Sequence, residues 1–355
     1  MVRVAKRCRE IAEELTGFDF SRLNIMEVCG THAHSIARYG LEQLLPENIT
    51  HICGPGCPVC VTHDDDLDAV VQIARQGAII ATFGDMMKVP GPRGSLGDAR
   101  SAGADIRILY SPMQALEIAA DNPDAEVVFL GIGFETTVPG VAVTVQTAAE
   151  QKLQNFSVYC SHKLIPPAME VLVQDPECQI DAFMCPGHVS TIIGTHAYGF
   201  LAADYAIPCA VAGFGPVDIM EAVLALARQQ AVGEAKVENC YTRAVQPEGN
   251  PKAREQMGVV FEPAEALWRG LGEMPQSGLA IRPEYSDYDA ADRFSLQPPL
   301  ERNVAGCLCG EVLQGKINPQ SCPSFGTACT PDNPLGPCMV SSEGACAAAY
   351  KYART

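Results

Sequence analysis

From Asn24 to about Gln230, short apolar runs alternate with segments of helical period. The runs are "NIMEV", "ITHIC", "AIIATF", "IRILY", "EVVFLGI", "FSVYC", "IDAFM" and "CAVAGF", each ending in a glycine-rich or polar turn. Between them, segments such as "HSIARYGLEQLL", "DDLDAVVQIARQ" and "MQALEIAA" place apolar residues at i, i+3 and i+4, the signature of a helix with one buried face. This alternation predicts an α/β fold with parallel strands. The eight units either close into a single β/α barrel or split into two open four-stranded sheets, and periodicity does not separate the two. The turn at 120–126, "ADNPDAE", lies at the midpoint and offers a domain break, so the expected division is 1–122, 123–230 and 231–355.

After Gln230 the rhythm fails. Residues 231–303 are rich in Pro, Gly and Glu, with one piece of helical pattern, "EPAEALWRGLG", carrying the single tryptophan. From Val304 the chain is dense in cysteine and almost without strand pattern, the character of a segment that folds around a metal. The last domain is therefore expected to be mostly helix and loop.

Composition, 47% hydrophobic and 19% charged, is that of an ordinary globular protein. The formal charge of −17 argues against nucleic acid or an anionic membrane surface as partner. The opening "MVRVAKRCREIAEEL" reads as a charged amphipathic helix rather than a signal peptide, and no apolar stretch reaches membrane-spanning length. The chain therefore reads as cytoplasmic, where thiols are kept reduced. Its sixteen cysteines are then expected to be metal ligands, redox thiols or core residues rather than a disulfide framework.

The unusual polar residues gather in the turns after the strand runs: "CGTH" at 29–32, "GPGCPVC" at 54–60, "GDMMKVPG" at 84–91, "GFETT" at 133–137, "CPGHVS" at 185–190 and "GFGP" at 213–216. In parallel α/β folds the site lies at the carboxyl ends of the strands, so all six turns are expected to face one crevice. Cys57 and Cys60 form a Cys-x-x-Cys turn, suited to dithiol–disulfide exchange or to half a zinc site. A second close pair at zinc spacing does not follow them. Thr62 and Asp65 resemble a capping box opening the next helix, and His63 stands beside it. Cys29 is a lone thiol at a strand end, with His32 and His34 nearby, and reads equally as a metal ligand, a nucleophile or a core residue. Cys160, Cys178, Cys185, Cys209 and Cys240 are isolated and read as packing residues, while Cys8 sits alone on the first helix.

In the tail, Cys307, Cys322, Cys329 and Cys346 are separated by fourteen, six and sixteen residues, with Cys309 and Cys338 standing aside. The tail contains no histidine, which disfavours mixed zinc ligation and leaves four-cysteine zinc and an iron–sulfur cluster open. Long Gly- and Pro-rich loops between single thiolates suit a cubane modestly better. "GIGFETT" has too few glycines for a dinucleotide fingerprint and no P-loop occurs, which disfavours an autonomous enzyme using nicotinamide or ATP.

Taken together, "CGTH", "GPGCPVC", "GFETT", "CPGHVS" and the terminal C-x14-C-x6-C-x16-C resemble the HypD hydrogenase-maturation family, from about Asn24 to the C-terminus. The resemblance implies two similar open parallel-sheet α/β domains and a third domain holding a [4Fe-4S] cluster. It further implies a scaffold on which the Fe(CN)2CO unit of [NiFe]-hydrogenase is assembled, in complex with a small HypC-type chaperone. HypE, charged by HypF from carbamoyl phosphate, would deliver the cyanide. Carried over residue by residue, Cys29 would bind the iron and His32 would stand behind it. Cys57 and Cys60 would be the thiol pair between that iron and the cluster, and Cys307, Cys322, Cys329 and Cys346 would ligate the cluster. On this reading the chain is an assembly scaffold with redox activity rather than a free-standing enzyme. The competing reading is an iron–sulfur reductase or lyase acting on a small molecule in the crevice between domains.

Overall fold

The computed structural model describes residues 2–300 and 306–352. All eight apolar runs form strands: β1 (Leu23–Glu27), β2 (Ile49–Cys53), β3 (Ile79–Thr82), β4 (Ile106–Ile108), β5 (Val127–Gly133), β6 (Phe156–His162), β7 (Ala182–Cys185) and β8 (Cys209–Val211). Three more follow, β9 (Val237–Asn239), β10 (Phe261–Trp268) and β11 (Gly272–Ile281). The first nine are parallel and make two open sheets, ordered β2-β1-β7-β8-β9 and β4-β3-β5-β6, while β10 and β11 form an antiparallel hairpin. The α/β class is as the pattern predicts; a single closed barrel is not formed.

The sheets do not divide the chain at 122/123. Strands β1 and β2 start the first sheet, the whole second sheet follows, and the chain then returns to finish the first with β7, β8 and β9. The turn at 120–126 therefore lies inside the four-stranded sheet, between the helix Gln114–Asp121 and β5. Hydrophobic rhythm is blind to this interleaving, because a crossover helix reads the same whichever sheet its next strand joins.

Strands buried on both faces explain the continuous apolar runs. Successive side chains alternate: Val127 and Phe129 pack outward with the helix Val138–Gln151, while Val128 and Leu130 pack inward. The inward residues share one core with Met26, Phe183 and Val211 of the first sheet, so the two sheets enclose a common interior. On the far face of the first sheet, Ile25, Met184 and Ala210 pack with the helices Val2–Leu15, Gly30–Tyr39 and Pro216–Val232.

The segment after Gln230 departs most from expectation. The short β9 joins the first sheet, and the "EPAEALWRGLG" piece is largely strand rather than helix. Trp268 is fully buried, donates its indole N–H to Ser277 Oγ at 3.0 Å and stacks on Phe134 with centroids 5.9 Å apart. Burying that ring against the hairpin partner and the GFETT turn overrides the local helical preference. The tail from Gly306 onward has short helices and turns, and its last helix, Ala345–Tyr352, packs against Gly30–Tyr39. Among the described residues, no helix is long and apolar enough to cross a membrane.

Candidate thiol and metal site

Cys29 caps the N-terminus of the helix Gly30–Tyr39, immediately beyond β1, and its carbonyl accepts from His32 and Ala33 N–H. The "GPGCPVC" turn lies directly against it. Gly30 N–H donates to Gly56 O at 2.8 Å, and a Cβ on Gly56 would fall 2.0 Å from Cys29 N. Only glycine permits that approach of two backbones. Cys57 and Cys60, their Cα atoms 5.2 Å apart, are joined by a disulfide. Cys57 caps the short helix Pro58–Val61, and Cys60 Sγ lies 3.9 Å from Pro337 O of the tail. The disulfide thus sits between the Cys29 turn and the cysteine-rich tail.

Cys29 is buried, and burial first and the Glu27 carboxylate second push its thiol up to about 12. At neutral pH it is a thiol, not the thiolate that exposed turn chemistry suggests. A soft metal bound there replaces the proton. Glu27, also buried, holds Cys29 N–H at 2.6 Å, and burial pushes its carboxyl up to about 7. His32 is fully buried behind this turn. Its Nε2 faces two carbonyls, Gly213 O at 3.0 Å and Ala212 O at 3.3 Å, so that nitrogen carries the hydrogen and Nδ1 a lone pair without a protein partner. Burial lowers its pKa to about 4, and its ring packs on Phe214. His34 is differently used: its Nδ1–H donates to Ser342 O at 3.0 Å and its Nε2 accepts from Tyr352 Oη at 3.2 Å, fastening the tail to the helix. Thr31 Oγ1 donates to Glu343 Oε1 at 2.7 Å in the same seam.

Four of the six turns meet here. The turns after β1, β2, β7 and β8 surround Cys29 and His32, with His188 and Phe214 in ring contact at 4.0 Å. The GFETT turn contributes Glu135 to the interior instead: buried, it accepts Ile165 N–H at 3.0 Å, and burial pushes its carboxyl up to about 7. The turn at 84–91 packs on Leu67 and on the helix Leu96–Ser101, away from the thiols. The helix Asp64–Arg75 is capped by His63, whose Nδ1 accepts Asp65 N–H, while Thr62 Oγ1 donates to Pro58 O. His63 is therefore a cap, and Thr62 is not.

All six tail cysteines line one small cavity with Leu308, Val312, Phe325 and Met339. Cys309 and Cys338 do not stand aside: their sulfurs are 2.9 Å apart, beside the Arg269 guanidinium, which in turn holds Asp64 and Thr62 O. Backbone N–H groups also reach sulfur, as from Leu335 to Cys329 Sγ at 3.4 Å. A crowd of thiols in an apolar cavity, with amide N–H groups directed at sulfur, is a donor set that fits an iron–sulfur cluster.

A profile of the HypD family, described as the hydrogenase formation hypA family, matches residues 3–353. The chain belongs to the HypD family. It is 46% identical to the hydrogenase maturation factor HypD of Escherichia coli, over 99% of this chain and 95% of that protein. Similarity extends to the hydrogenase maturation factor HypD2 of Bradyrhizobium diazoefficiens, 48% identical over 93% of this chain and 89% of that protein. A putative hydrogenase expression/formation protein of Methanocaldococcus jannaschii is 44% identical over 94% and 93% of the two chains.

Sequence reasoning passed over three members of this neighbourhood. Glu27, His51 and Cys53 approach one another at the ends of β1 and β2. The signal was legible: a carboxylate closes a strand whose preceding residues, Ile25 and Met26, are apolar, and "THIC" sets His and Cys two apart, on one face.

Proposed function

We propose that this chain is a hydrogenase maturation factor that serves as the redox scaffold for the Fe(CN)2CO unit, holding its iron at Cys29. The observation that carries this reading is the packing of three sets of cysteine sulfurs in one corner: Cys29, the Cys57–Cys60 disulfide against its backbone, and the tail cavity beyond. Iron is the cargo, and Cys29 offers it a thiol that binds by losing its proton. Glu27, beside it, accepts the Cys29 backbone N–H at 2.6 Å and fixes the turn that presents the thiol. The unpartnered Nδ1 of His32 keeps a neutral acceptor behind the same turn. Cys57 and Cys60 store two electrons and two protons when reduced to thiols. Cys307, Cys322, Cys329 and Cys346 are the residues that would hold a resident [4Fe-4S] cluster, and such a cluster supplies electrons at low potential. The Cys309 and Cys338 thiols, set in the tail next to the Cys60 turn, form a second pair able to exchange with the first. A small HypC-type chaperone and a HypE-type cyanide donor are the partners this reading requires, working in the cytoplasm.

The reading is tested by anaerobic purification of the tagged chain from cells that mature a [NiFe]-hydrogenase. A brown protein that co-purifies with a small chaperone and carries cyanide and carbonyl infrared bands supports the scaffold. Turnover of a small molecule by the isolated chain, without those bands in any complex, would establish a free-standing enzyme instead.

A further inference from the structure

The first sheet ends in a group of ligating side chains that the thiol chemistry does not use. In the parallel pairing of β1 and β2, Glu27 stands opposite Cys53 and Ile25 opposite His51. Alternation therefore puts Glu27, His51 and Cys53 on one face, the face covered by the helix Gly30–Tyr39. One ligating atom from each lies within 4.8 Å of the other two. His51 is already oriented: its Nδ1 is 2.6 Å from Glu42 Oε1, and its side chain is only 6% exposed. The remaining nitrogen, Nε2, is buried with no protein partner. A carboxylate on the far nitrogen is how metal-binding imidazoles are commonly held, fixing the tautomer and raising the basicity of the ligating atom. Glu42, His51 and Cys53 also line a cleft of about 850 Å³ between this end of the sheet and the tail residues Asn318, Ala345 and Tyr352.

We propose that Glu27, His51 and Cys53 form a binding site for one divalent first-row transition-metal ion, Zn²⁺ or Fe²⁺, separate from Cys29 and from the tail cysteines. One thiolate, one imidazole and one carboxylate make a mixed set of intermediate softness, suited to both ions. Three protein ligands leave a coordination position open toward the cleft, where water completes the sphere, which is the arrangement of an exchangeable site rather than a closed structural one. On binding, the Cys53 S–H bond is replaced by a sulfur–metal bond and the proton leaves to solvent. The site stands whether or not Cys29 carries iron.

The test is Zn²⁺ titration of the full-length chain, anaerobic and with its resident iron in place, against a chromophoric chelator. The wild type is expected to bind one Zn²⁺ at micromolar affinity or tighter. His51→Ala and Cys53→Ser should each lose this binding, and Glu42→Gln should weaken it by roughly 10- to 100-fold, as removal of an orienting partner does. Cys29→Ala should bind Zn²⁺ as the wild type does, and the iron held by the tail cysteines should be unchanged in every variant. In the wild type alone, Zn²⁺ should protect Cys53 from alkylation, read by peptide mass spectrometry, which removes any dependence on how the variants fold. Equal Zn²⁺ binding in wild type and Cys53→Ser, failure of the wild type to bind, or alkylation of Cys53 undiminished by Zn²⁺ would each overturn the site.

Discussion

Cys29 shows how far a residue's chemistry depends on what is packed around it. The sequence places a thiol at a strand end beside two histidines, which suits a metal ligand, a nucleophile or a core residue equally. The fold instead buries it next to Glu27 and turns His34 away to hold the tail. The thiol is accordingly protonated at neutral pH, and Cys29 should react with iodoacetamide far more slowly than an exposed cysteine, a rate measurable by peptide mass spectrometry. Gly56 is the residue that lets the disulfide turn approach. A Cβ there meets Cys29 N at 2.0 Å, so Gly56→Ala forces two backbones apart and is expected to cost about 3 kcal/mol, at the upper end for overpacking, read as a lowered midpoint in urea. Glu135 yields a pH prediction. Its carboxyl sits near 4.5 when exposed and is pushed up to about 7 by burial, so the folded chain holds this proton more tightly than the unfolded one. Its contribution to stability is therefore complete below pH 4.5 and is lost as pH rises through 7. Glu135→Gln should flatten the decline in unfolding midpoint between pH 5 and 8; an unchanged slope would assign that decline to other groups.

At the scale of elements, the strands and their helices were legible because parallel strands buried on both faces leave continuous apolar runs and their helices leave a 3.6-residue period. The hairpin of β10 and β11 was not, because its first strand is rich in Glu and Ala, which favour helix in isolation, and what sets its conformation is the burial of Trp268 against Phe134 and Ser277. Trp268→Ala should then cost on the order of 3–5 kcal/mol and loosen the link that Arg269 makes to Asp64 beside the disulfide turn. Differential scanning calorimetry checks the first effect, and faster reduction of Cys57–Cys60 by a mild dithiol checks the second. The tail was legible as a cysteine-dense segment almost without strands, whereas the approach of Cys309 to Cys338 was not, since contacts 29 residues apart leave no trace in local pattern. Serine at Cys307, Cys322, Cys329 or Cys346 should bleach the iron–sulfur absorption and loosen the tail. Serine at Cys309 or Cys338 should leave most of the iron in place.

In the whole molecule, the four-stranded sheet is inserted between the second and third strands of the other, so one core joins both and the turns of the first sheet gather against the tail. Sequence order hid this, because both sheets use the same βα grammar. The interleaving matters for function: the Cys29 and GPGCPVC turns come from strands β1 and β2, the His188 and Phe214 rings from turns more than a hundred residues later, and the tail closes over them through Thr31, His34 and Tyr352. Cys29 lies at the meeting point of all three, and the account rests on its holding the iron. Infrared spectroscopy of the anaerobically purified complex tests this directly, because cyanide and carbonyl ligands absorb where protein does not. Cys29→Ala removes a single buried sulfur and is expected to cost on the order of 1 kcal/mol, with the tail iron retained. The predicted result is a folded, iron-containing complex without cyanide and carbonyl bands; a Cys29→Ala complex with bands of full intensity would contradict the account.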